Sequence, residues 1–212
     1  MAPLVLILDF DGVIVESNNV KTEVFQDVFR EWPEHFDAMM AYHHEHVSVT
    51  RFEKFKYLQE RLGLQSDDSF IPRVAGEFSR RMLDRMRTIP EVTGAADFIH
   101  TFSARLPVYL ASVTPEEELH AILDMRGYAR WLRGVYGCPP WNKPDAIRDI
   151  LRLEQIPAER VLFIGDSAGD QRAAEILGVP FAARNSGLPF DKTPEHMFAD
   201  MNEAAAYLEK LL

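Results

Sequence analysis

One cysteine, Cys138, stands in 212 residues. An internal disulfide is therefore excluded, and a reducing compartment fits. No motif surrounds Cys138, which reads as a small core residue. Basic side chains are also scarce, 23 against 33 acidic ones, for a formal net charge of −10. With no run of Lys or Arg, a nucleic-acid surface is not expected. No stretch reaches the ~18 consecutive apolar residues of a membrane helix. The apolar start Leu4–Leu8 is too short for a signal peptide and runs straight into acids. Internal repeats and low-complexity linkers are missing as well. These absences describe a soluble, cytoplasmic protein with neither a membrane nor a nucleic-acid partner. Its hydrophobic content of 47% supports one domain, or a domain with an insert.

What is present begins with Pro3-Leu4-Val5-Leu6-Ile7-Leu8-Asp9-Phe10-Asp11-Gly12. The unbroken apolar run reads as a strand buried on both faces. Alternate side chains of extended backbone share a face, so Asp9 and Asp11 address a common space. Gly12 lets the chain turn sharply after them. Two like charges buried together are costly unless a cation offsets them, and a divalent metal with a phosphorylated ligand would do so. The plainer alternative makes Asp9 and Asp11 turn residues that close a strand.

Residues 17–87 read as a helical block without strand signal, inserted after the first strand. Val20, Val24 and Val28 recur at helical spacing, and further segments follow around Phe36–His46, from Phe52 to Leu62, and after Ser66–Ser69. His43, His44 and His46 have metal-like spacing, but nothing nearby completes a ligand set, so they read as solvated helix-end residues. Arg51 and Lys54 open a helix. As an exposed charged face they would oppose the helix dipole, which makes that reading uncomfortable.

From Pro90 helix and strand alternate. Val92–Arg105 reads as a helix, and Pro107–Ala111 as a strand running out at Ser112. Gly134–Gly137 gives a weaker strand, followed by Lys143-Pro144 and a helix over Ala146–Leu153. Val161–Ile164 is a second strongly buried strand, leading into Gly165-Asp166-Ser167-Ala168-Gly169-Asp170 and a helix from Gln171. Val179–Ala183 and Asn202–Leu212 supply the last strand and helix. This order predicts an α/β fold, a Rossmann-like, doubly wound parallel sheet, with an inserted helical domain. Ligands of such sheets bind beyond the carboxyl ends of the strands. Asp9, Asp11, Ser112, Lys143, Asp166 and Asp170 all stand at strand exits or helix starts.

Four of these stretches resemble the haloacid-dehalogenase-like superfamily, in that family's order and across the whole chain. They are Asp9-Phe10-Asp11-Gly12-Val13, the strand ending at Ser112, Lys143-Pro144, and Gly165–Asp170. The resemblance implies a catalytic core of residues 1–16 and 88–212, with a helical cap at 17–87. It implies a Mg²⁺-dependent phosphatase of a small phosphorylated metabolite, acting through an aspartyl-phosphate. Asp9 would be the nucleophile and Asp11 the general acid and base. Asp9, the backbone carbonyl of Asp11, and Asp166 would hold Mg²⁺, with Asp170 supporting the metal or orienting Lys143. Ser112 and Lys143 would bind the phosphoryl oxygens. Val49-Thr50-Arg51 looks like the Val-Ser-Arg of sugar-phosphomutase caps, which marks Arg51, with Lys54 behind it, as a substrate contact. A phosphomutase on the same site and a catalytically silent binding protein are the alternatives. Dehalogenases and phosphonate hydrolases lack the second acid, and the intact Asp11 disfavours both, the latter even with Lys54 as its cap lysine.

Overall fold

Six strands form one parallel sheet in the computed structural model, which describes residues 2–46 and 49–212. They are β1 (Val5–Leu8), β2 (Val108–Ala111), β3 (Gly134–Tyr136), β4 (Val161–Gly165), β5 (Phe181–Arg184) and β6 (Met197–Phe198). Their order is β3-β2-β1-β4-β5-β6. Every residue of β1, β2 and β4 is buried, as continuous apolar runs demand when helices cover both faces. Leu8 pairs with Leu110 of β2 on one side and with Ile164 of β4 on the other. From β1 the chain adds β2 and β3 on one side and then crosses back to β4 on the other, so the carboxyl ends of β1 and β4 are the switch point of the sheet.

The chain divides into two compact units, residues 1–16 with Ile89–Leu212, and Ser17–Thr88. In the first unit, Val5, Ile7, Tyr109, Ala111 and Phe163 make one face of the sheet. They pack on Ala146, Ile147 and Ile150 of α7 (Lys143–Glu154) and on Ala173 and Ala174 of α8 (Ala168–Leu177). The remaining helices of this unit are α5 (Ala95–Ser103), α6 (Glu116–Arg126) and α9 (Met201–Leu211).

The second unit is built from α1 (Asn18–Phe29), α2 (Phe36–Glu45), α3 (Arg51–Arg61) and α4 (Phe70–Met86). Phe25, Phe29, Phe55 and Phe78 meet at its centre, Phe25 and Phe78 with ring centroids 4.4 Å apart. Thr50 caps α3 by accepting from the Glu53 amide while Glu53 accepts from the Thr50 amide.

Several boundaries differ from the sequence reading. Helix α5 starts at Ala95, not Val92, because the Val92 amide bonds to the Ile14 carbonyl and Gly94 takes φ 81°. Helix α7 starts at Lys143, capped by the Asn142 side chain, and α8 at Ala168. Both starts bring a site residue into a first helical turn. Strand β6 has no counterpart in the sequence pattern, because two residues carry no periodicity.

Candidate active site

Asp9 follows β1, and its amide bonds to the Ile164 carbonyl of β4 at 2.9 Å. Its Oδ1 accepts from the Phe10 amide at 2.7 Å. The chain then turns within Phe10–Val15. The Ile14 amide bonds to the Phe10 carbonyl, the Gly12 amide to the Val15 carbonyl, and Gly12 takes φ 72°. A side chain would be strained at that φ, which explains glycine directly after the second acid.

Lys143 brings the site's cation in the first turn of α7. A lysine there opposes the helix dipole. The carboxylates around it outweigh that effect: Nζ lies 2.9 Å from Asp9 Oδ2 and also contacts Asp170 Oδ1. Burial alone would lower its pKa, but Asp170 and Asp9 hold the ammonium well above its ordinary value.

Asp170 is fully buried in the first turn of α8. Its Oδ2 accepts from the Asp166 amide at 3.2 Å, the Ser167 amide at 3.1 Å and the Ser167 hydroxyl at 2.7 Å. The positive end of the helix favours an anion there. Gly165 makes this approach feasible, since a Cβ on it would lie 2.4 Å from Asp170 Cβ.

Carboxylate oxygens of Asp9, Asp166 and Asp170 all lie within 4.8 Å of one another. Burial pushes the Asp9 carboxyl well above the usual range, and Asp170, Asp166 and Asp11 push it further while Lys143 pulls it down. Asp9, Asp11, Asp166 and Asp170 are all buried, and the Lys143 ammonium contacts two of them, Asp9 and Asp170. Clustered hard oxygen donors carrying excess negative charge fit a small divalent cation such as Mg²⁺.

Ser112 follows β2, with its amide on the Tyr136 carbonyl and its hydroxyl accepting from the Thr114 amide at 3.1 Å. Thr114 in turn donates to Asp11 Oδ2 at 3.1 Å. The sequence reading gave Thr114 no role. No local signal marks it, since the chain bends at Val113 and Thr114 and the partner Asp11 lies 103 residues away.

The cap candidates lie inside the helical unit. Arg51 is buried, donates to Ser79 Oγ at 2.9 Å, and sits 4.5 Å over the Phe78 ring. Lys54 is buried with Nζ 3.0 Å from His43 Nδ1 and 4.9 Å over the Phe25 ring. Neither belongs to an exposed charged face. His43 corrects the reading of three solvated histidines. It is buried against Phe25, with Nε2 3.0 Å from Thr22 Oγ1, whereas His44 is exposed and His46 half-buried. Cys138 is half-buried rather than a core residue. No helix among the described residues is long and apolar enough to cross a membrane.

Known proteins share this architecture. A hydrolase of the haloacid dehalogenase-like family from Streptococcus pneumoniae superposes with a TM-score of 0.69 at 17% identity, covering 97% of this chain and 98% of that one. A Bacillus subtilis protein of HAD-hydrolase type, bound to magnesium, gives 0.72 at 16% identity, covering 98% and 99%. These likenesses show the fold. In sequence, a phosphoglycolate phosphatase of Pseudomonas savastanoi pv. phaseolicola is 33% identical over 89 residues, 39% of this chain and 33% of its own length. One from Pseudomonas fluorescens is 34% identical over 86 residues, 38% of this chain and 32% of its own length. A shorter Pseudomonas savastanoi relative is matched over 56% of its length, so the chain spans between about a third and about half of these curated relatives. The family model described as haloacid dehalogenase-like hydrolase matches residues 6–184. With most of its length inside that match, the chain belongs to the haloacid dehalogenase-like hydrolases.

Proposed function

We propose that the protein is a Mg²⁺-dependent phosphomonoesterase of a small phosphorylated metabolite, acting through an aspartyl-phosphate on Asp9. One observation carries the reading. The Asp9 carboxylate stands at the sheet's switch point, in contact with the Lys143 ammonium and clustered with Asp166 and Asp170. A turn closing an ordinary strand has no use for that arrangement.

In the first half-reaction Asp9 attacks phosphorus, the ester P–O bond breaks, and the departing oxygen takes a proton from Asp11. In the second, Asp11 takes a proton from water, the water oxygen attacks phosphorus, and the bond to Asp9 breaks. An ester and water become an alcohol and phosphate. Lys143 offsets charge on the phosphoryl oxygens, which must be screened before one anion can attack another. The Ser112 hydroxyl binds one of those oxygens. Asp9, Asp166 and the Asp11 carbonyl would hold Mg²⁺, with Asp170 in support. When bound, the metal neutralises the phosphoryl group and orients it for in-line attack.

The names of the sequence relatives favour a phosphorylated carboxylic acid over a sugar phosphate. Arg51, with Lys54 behind it, is the proposed contact for that second anionic group; both are engaged within the helical unit, by Ser79 and by His43, and a substrate would have to displace those contacts.

The test is phosphate release from a panel of phosphorylated acids and sugars, with Mg²⁺ and after chelation. Turnover that needs Mg²⁺ and disappears in Asp9→Asn, with the fold retained, is expected. Mg²⁺ at a hundred times its Kd should also stabilise the wild type by about 2.7 kcal/mol, and Asp166→Asn should abolish that gain. Equal turnover with and without chelator, or by Asp9→Asn, would overturn the reading.

A further inference from the structure

We infer that Thr114 is a positioning residue for the proton-transferring carboxylate, holding Asp11 in the rotamer that serves the leaving oxygen. The inference rests on the proposed role of Asp11 and adds a residue to it. Thr114 is 2% exposed and Asp11 4%, so their 3.1 Å contact forms away from bulk water, where a lost partner is costly.

A hydroxyl on Oδ2 fixes the torsion about the Asp11 Cβ–Cγ bond, and with it the direction of Oδ1. Because a threonine hydroxyl both donates and accepts, it can stay bonded to Asp11 whether the carboxyl carries a proton or not. A fixed donor such as a backbone amide would favour the ionised form alone.

The backbone around Thr114 is built to keep it in place. Its amide donates to Ser112 Oγ at 3.1 Å, and its carbonyl accepts from the Cys138 amide at 2.9 Å. The Gly137 amide donates to Glu116 Oε2 at 3.2 Å, and the Glu116 amide to the Pro139 carbonyl at 3.3 Å. A Cβ on Gly137 would lie 2.7 Å from the Thr114 carbonyl oxygen and 2.3 Å from Glu116 Cα. The segment after β2 is thus stitched to the segment after β3 on both sides of Thr114. General acid–base transfer tolerates little misplacement of the donor, and a few tenths of an ångström at Asp11 are worth a measurable factor in rate.

The experiment compares Thr114→Val, Thr114→Ser and Asp11→Asn with two esters, p-nitrophenyl phosphate and glycerol 1-phosphate. The nitrophenolate leaves without a proton, whereas the alkoxide needs one. Thr114→Val should lower kcat/KM on the alkyl ester by about 10- to 100-fold, part of the range for acid–base catalysis. It should lower kcat/KM on p-nitrophenyl phosphate by less than about 3-fold, because kcat/KM reports the steps up to departure of the leaving group, and nitrophenolate departs without a proton. Thr114→Ser, which keeps the hydroxyl, should restore most of the loss. If Thr114→Val does not fold, Thr114→Ala carries the same expectation. Equal loss of kcat/KM on both esters, or an unchanged alkyl kcat/KM, would overturn the positioning role while Asp11→Asn still shows the leaving-group difference. If Asp11→Asn itself shows no such difference, the acid assignment fails and this inference falls with it.

Discussion

Lys143 Nζ stands 2.9 Å from Asp9 Oδ2 and also contacts Asp170, so one ammonium joins the exit of β1 to the first turn of α8. Its two partners come from opposite ends of the sequence, and without the bridge they would repel. The same contact therefore has a structural and a catalytic consequence.

Lys143→Met tests both. Removing one partner of a buried pair typically costs about 3–5 kcal/mol, because the remaining charge is left uncompensated. The metal-free variant should melt well below the wild type, and Mg²⁺ should recover part of the difference. Loss of charge stabilisation on the phosphoryl oxygens should lower kcat by about 10²–10³-fold. Thermal melts and phosphate release, each with and without Mg²⁺, separate the two effects. Lys143→Arg should not rescue, since a planar guanidinium cannot replace a point charge between two carboxylates.

Much of this architecture was legible in the sequence because its signals are local. Fully buried strands show as apolar runs at Val5–Leu8 and Val161–Ile164, and acids at their ends mark the sheet's carboxyl edge. The helix starts at Lys143 and Ala168 lie earlier than the apolar periodicity alone suggests, although both carry a local cap signal, Asn142 with Asp145 and Ser167 with Asp170. Thr114 has no such local mark, since its partner Asp11 lies 103 residues away. His43 was misread because nothing in His43-His44-Glu45-His46 says which ring faces the aromatic centre.

Gly165 is where that local reading becomes testable in packing. A Cβ there would lie 2.4 Å from Asp170 Cβ, 2.6 Å from Cγ and 2.8 Å from Oδ2. Gly165→Ala must therefore push the first turn of α8 outward, and Asp170 would move away from Lys143. Overpacking of this kind costs about 1–3 kcal/mol. Urea unfolding should show that loss, and calorimetric titration should show weaker Mg²⁺ binding. Unchanged stability and affinity would mean that α8 gives way at no cost.

The helical unit should carry its own dependence on pH. Burial, followed by the nearby Lys21 and against the weaker pull of Glu53, lowers the Lys54 pKa from 10.5 to about 7. Burial, then Lys54, His44 and Lys21, lowers that of His43 from 6.5 to about 3. Both bases hold fewer protons folded than unfolded, so stability rises with pH wherever the two states differ. For Lys54 the cost of charging appears as pH falls from about 10.5 to about 7 and is constant below; for His43 it appears between about 6.5 and about 3. Lys54→Met removes the first window and narrows the second, because Lys54 is itself one cause of the His43 shift. The melting temperature of the variant relative to wild type should therefore climb as pH falls through the alkaline window and level off at about 7, a gain on the order of a few kcal/mol. Melts of the full chain in closely spaced buffers would show it. Parallel profiles for the two proteins would mean that Lys54 keeps its ordinary affinity for protons, and that its ammonium is solvated in the folded unit rather than held against His43 and Phe25.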